Sequence, residues 1–113
     1  MTRIEVVQPV AADPAGVALL LSGAAGRELW PGSSARFGPP MRSGVGFIVD
    51  LTVDAYDQPA RGRVGITAGV EGPGATHLRL VISSVAPDAR LRADARRFVR
   101  ALAAAAQERS SAA

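Results

Sequence analysis

The sequence predicts an α+β protein: a curved antiparallel sheet gripping one long C-terminal helix, with short helices after the first strand. Three observations carry this. A short apolar strand runs straight into a capped helix signal, three strand-like segments then follow one another, and the C-terminal segment carries an apolar stripe at helical spacing. Adjacent strands joined by short turns pair antiparallel, and one striped helix covers a single face of the sheet they form.

The elements follow in order. Residues 3–10 read as a strand, with Ile4 and Val6 on one face and Arg3 and Glu5 on the other. Asp13 is placed to accept from the free N–H groups of a first helical turn, and Pro14 stands where its missing donor costs nothing. Val17, Leu20 and Leu21 recur at helical spacing until Ser22-Gly23 breaks the pattern, and a second short helical turn fits residues 24–29. Residues 33–43 read as a Ser/Gly/Pro loop with one short strand near Arg36 and Phe37. Residues 44–54 give the clearest strand, with Val45, Phe47, Val49, Leu51 and Val53 on one face and Asp50, Thr52 and Asp54 on the other. Asp57, Gln58 and Pro59 suit a hairpin. In residues 62–70, Val64, Ile66, Ala68 and Val70 oppose Arg61, Arg63, Thr67 and Glu71. After a Gly72-Pro73-Gly74 turn, Leu78, Leu80 and Ile82 point inward and His77, Arg79 and Val81 outward. The final helix starts near Pro87-Asp88, with Leu91, Ala95, Phe98, Leu102 and Ala105 or Ala106 forming its stripe. The expected domain is residues 1–109, with 110–113 a frayed tail.

Composition narrows the classes. The 113 residues suffice for one domain, and 48% hydrophobic with 20% charged residues fits a folded chain rather than a disordered one. With no cysteine, disulfides, thiol catalysis and cysteine-held metals are excluded. Neither an export signal nor a run long enough to cross a membrane is visible, so cytoplasm is the default expectation. Net charge is +3, and all 13 basic residues are arginine, which fits a GC-rich, actinobacterial-type composition better than a nucleic-acid site.

Several local patterns together resemble the START-like helix-grip superfamily, the SRPBCC group that includes polyketide cyclases and aromatase/cyclases. Ile4-Glu5-Val6, through Ala11-Ala12-Asp13-Pro14 to Val17-Ala18-Leu19-Leu20, is similar to its first strand and following helix. Leu29-Trp30-Pro31-Gly32 resembles its aromatic turn, residues 72–80 its glycine turn and alternating-Leu strand, and the terminal helix the one its sheet grips. The chain is shorter than such domains usually are. Either residues 33–43 supply a short strand, or the sheet is reduced. The resemblance implies binding of a hydrophobic, polyketide-like or lipid-like molecule between sheet and helix, with cyclase or dehydratase chemistry as its enzymatic form.

Few residues offer chemistry of their own. His77 is the only histidine, and its strand parity points it to solvent. No cluster has metal-ligand spacing, so no metal and no cofactor are expected. Asp50, Asp54 and Glu71 read as solvated strand carboxylates, and Ser33, Ser34 and Ser43 lack a nucleophile context. The glycine pairs form no phosphate loop. No catalytic residue is assigned. Inward parity puts Phe47, Val49, Leu51, Val64, Ile66 and Phe98 on the walls of a ligand site, with Trp30, Phe37 and Met41 at its mouth. Trp30 equally suits a core plug beneath the sheet. Arg90, Arg92, Arg96, Arg97 and Arg100 favour a solvated helix face. The alternative function is a small interaction or regulatory protein, a homodimer among the options, whose helix arginines engage an acidic partner; nucleic acid is disfavoured.

Overall fold

The computed structural model describes residues 2–33, 35–54, 59–69, 74–85 and 89–112. Its elements are β1 (Thr2–Val10), α1 (Pro14–Ser22), α2 (Ala24–Glu28), a 3-10 turn (Pro31–Ser33), β2 (Ala35–Phe37), β3 (Met41–Ser43), β4 (Gly46–Val53), β5 (Ala60–Ala68), β6 (Thr76–Ser84) and α3 (Ala89–Ala112). The fold class is the expected one: a six-stranded, wholly antiparallel, curved sheet carrying a long C-terminal helix.

Strand order is β1-β6-β5-β4-β2, with β3 also on β4. The β4-β5-β6 meander follows from short connections, whereas β1 joins it by pairing along its whole length with β6, from Thr2 opposite Ser84 to Val10 opposite Thr76. The segment read as a loop with one strand supplies two. β2 pairs with residues 51–53 of β4 and β3 with residues 46–48, so both lie along the same edge. They are separated at Gly38, Pro39 and Pro40 because neither proline has an N–H to give the ladder. Gly38 N–H, at 2.8 Å from the Asp50 carbonyl oxygen, holds the interruption close to β4.

The helices start and stop where local chemistry directs. The Asp13 carboxylate accepts from Ala15 N–H at 2.8 Å and Gly16 N–H at 3.2 Å, and Pro14 opens α1. Val17, Ala18, Leu20 and Leu21 are buried. α1 packs on β4 and β5, α3 packs on β1 and β6, and the two helices touch. The inner face of the sheet is therefore shared by two helices rather than covered by one.

Two expectations change. Val45 is 82% exposed rather than inward, because Gly44 (φ 57°) and Val45 form the two-residue turn between Ser43 and its partner Gly46, ahead of the strand. Ala68 is exposed at the end of β5, while the strand begins earlier than expected with the buried Ala60. The α3 backbone is helical through Ala112. The expectations for Asp57, Gln58, Val70, Glu71, Gly72, Pro73, Pro87, Asp88 and Ser34 lie outside the described residues.

Candidate functional site

The inner sheet face meets α1 and α3 along a seam of apolar side chains. Parity places Val49 and Leu51 of β4 beside Val64 and Ile66 of β5 and Leu78, Leu80 and Ile82 of β6, all buried. Leu91, Ala95, Phe98, Leu102 and Ala106 descend onto that surface from α3 at intervals of three and four. At the α1–α3 junction Thr76 Oγ1 donates to the Ala12 carbonyl at 2.6 Å, and Ala11 N–H donates to Gln107 Oε1 at 3.0 Å. These bonds tie the sheet's β1–β6 end to the start of α1 and the end of α3.

An aromatic stack occupies the seam. Phe98 stands between Trp30, with ring centroids 5.2 Å apart and planes at 39°, and Phe37, at 5.6 Å and 23°. Trp30 is fully buried, which decides between its two sequence readings: it is a core side chain and not a residue of the mouth. The reason is the turn after α2, where Pro31 and Gly32 (φ 81°) bend the chain back and press the indole under α3. Its Nε1 has no hydrogen-bond partner among the described residues.

The nine residues expected to form a ligand site separate into three groups. Val49, Leu51, Val64, Ile66, Phe98 and Trp30 are buried together in the seam. Phe37 and Phe47 are half-buried against it, on the β2 and β4 side. Met41 is 48% exposed on β3, whose three residues are all exposed. The sequence reading assigned none of α1's residues to the walls, although Val17 and Leu21 are among the fully buried side chains. Their helical spacing was the available signal.

The other named residues lie elsewhere. His77 is exposed on β6, as its parity predicted, and its carbonyl accepts from Thr67 Oγ1 at 3.4 Å. It borders a cavity of about 200 Å³ at the sheet end with Pro9, Val10, Thr67 and Thr76. Asp50 and Asp54 are on the outer face, paired with Arg63 at 2.9 Å and Arg36 at 2.7 Å. Arg92, Arg96, Arg97 and Arg100 are exposed along α3. Among the described residues no three acidic or histidine side chains are grouped to hold a metal.

Solved structures share this architecture. The chain aligns over 96% of its length with the di-domain aromatase/cyclase StfQ of the steffimycin biosynthetic pathway, at 17% identity and a TM-score of 0.57. It has the START-like helix-grip fold. It spans 46% of the StfQ chain. A protein of Chromobacterium violaceum is matched over 95% of this chain and 99% of its own at 11% identity, with a TM-score of 0.60. The Zhui aromatase/cyclase of a Streptomyces species is matched over 96% and 95% at 16% identity, with a TM-score of 0.50. No family model and no curated protein matches the chain by sequence. Among the described residues the apolar side chains of the seam are buried in one cluster. No helix among the described residues is long and apolar enough to cross a membrane.

Proposed function

We propose that the chain binds an apolar, polyketide-like or lipid-like small molecule along the helix–sheet seam, with Trp30 Nε1 as the donor that orients it. The observation that carries this reading is the buried, unpartnered indole N–H within an aromatic stack. A buried donor without an acceptor costs about 1–3 kcal/mol, and a carbonyl or hydroxyl oxygen on a bound molecule would recover that. The half-buried Phe37 and Phe47 mark the side where the seam is least closed, whereas Met41, opposite Ile48, has the parity of the outer face. Entry on that side would displace Phe37 from its stack on Phe98. Two of the solved structures with this fold, StfQ and Zhui, are aromatase/cyclases, which supports a substrate of related shape. A cyclase or dehydratase role would rest on holding a flexible substrate in one reactive geometry, because among the described residues the seam offers no titratable side chain.

The test uses a matched pair of planar probes, 9-fluorenone with a carbonyl acceptor and fluorene without one. Saturable change in Trp30 fluorescence is expected for both, with the tighter binding to fluorenone, and Phe47→Ala should alter both affinities. A silent Trp30 with both probes ends this reading. The exposed Arg92, Arg96, Arg97 and Arg100 favour a second one, an acidic partner on α3. Salt-sensitive retention of the chain by polyglutamate, lost when those four arginines become glutamine, would support it.

A further inference from the structure

The outer face of the sheet carries a charge pattern that the seam does not explain. Cross-strand register sets Arg3, Ser83, Arg61, Thr52 and Arg36 in one row running from β1 to β2. Arg63 stands in the next row and Arg79 in the one after. Three of these five arginines are matched by carboxylates: Arg36 with Asp54, Arg63 with Asp50, and Arg79 with Glu5 at 3.0 Å. Arg3 and Arg61 have no such partner among the described residues. They are the register partners of Ser83 on its two neighbouring strands, with no carboxylate in that stretch of the row. A guanidinium without a carboxylate partner is available for charge-assisted hydrogen bonds to an oxyanion.

Beside Arg3 the outer face sinks into a hollow of about 310 Å³, rimmed by Arg3, Arg63 and Arg79 and lined by Ile48, Gly65 and Val81. Gly65 makes the depression. Its φ lies outside the left-handed region, and a Cβ there would meet nothing nearer than 3.7 Å, so neither backbone nor packing requires glycine. Glycine in mid-strand weakens the strand, and it leaves a place where a flat group can lie directly on the sheet.

We infer that this hollow binds a planar aromatic carboxylate. Its ring lies on Gly65, Val81 and Ile48, and its carboxylate is held by Arg3, the rim arginine with no carboxylate partner among the described residues. An apolar floor excludes a bare inorganic anion as the best fit, and guanidinium rims stack favourably on aromatic faces. An extended polyanion is disfavoured because Glu5, Asp50 and Asp54 interleave with the arginines. The site lies across the sheet from Trp30 and is independent of the seam.

The probe is 2-naphthoate, followed at low salt through backbone amide and indole resonances of the isotope-labelled full chain. Saturable shifts at Gly65 and Val81 are expected, with the Trp30 indole unmoved. Neutral 2-naphthamide should bind about tenfold more weakly, through loss of the charge-assisted bonds. Arg3→Gln should weaken naphthoate about three- to fivefold, the effect of one exposed ion pair. Gly65→Val fills the hollow and should abolish the shifts while keeping the folded spectrum and an equal or higher melting temperature. Equal affinity for the amide, undiminished binding by Gly65→Val, shifts centred on Trp30, or no saturable shift at all would each overturn the site.

Discussion

The two faces of one sheet are organised by different physics. On the inner face most of the alternate residues of β4, β5 and β6 are buried, from Val49, Leu51 and Val53 to Leu78, Leu80 and Ile82, so those positions are constrained by shape and by removal from water. On the outer face the intervening residues are largely arginines, carboxylates, a histidine and small side chains open to solvent, with Ile48 and Val81 half-buried among them. The Arg63–Asp50 pair is 67% and 53% exposed, and the Arg79–Glu5 pair 53% and 43%. Such pairs contribute little to folding because water already solvates both charges. The inner face therefore holds the molecule together, and the outer face is free to be shaped for contact with something else.

The largest effect should come from the centre of the inner face. Phe98→Ala removes the ring that both Trp30 and Phe37 stack on, and should destabilise by about 3–5 kcal/mol. Chemical denaturation measures this directly. A loss below about 1 kcal/mol would mean that α3 is an appendage, and the contrast between the faces would collapse. On the outer face, a double-mutant cycle on Asp50 and Arg63 should give a coupling of about 0.2–1 kcal/mol that fades with added salt. A larger, salt-resistant coupling would show that the outer charges are structural. Smallest of all, His77→Ala should shift stability by no more than about 0.5 kcal/mol and leave ligand binding by Trp30 fluorescence unchanged. Loss of binding at an unaltered melting temperature would assign His77 a role that its solvent-facing position does not suggest.

Much of the inner face was legible because its signals are local. The period-two pattern of Val49, Leu51 and Val53, and the stripe from Leu91 to Leu102, each express burial on one side of a regular element. Asp13-Pro14 announces α1 through chemistry confined to one turn. The misreading of Val45 shows the limit of such signals. Alternation continues on paper into residues 44–45, but the two-residue turn to β3 ends the strand at Gly46. β3 itself left little trace, being three exposed residues at the sheet edge with no apolar alternation to mark them.

The sequence by itself determined the elements, their order and the sidedness of each strand, because periodicity and capping depend only on neighbours along the chain. Tertiary structure decided which side chains meet. Trp30 beside a Pro-Gly turn suits a pocket rim as well as a core, and only its stacking on Phe98, 68 positions later, makes it core. The outer arginine row is likewise invisible in the sequence, where Arg3, Arg36 and Arg61 are far apart. Strand register alone puts them in line, and register is a contact between distant segments that no local pattern encodes.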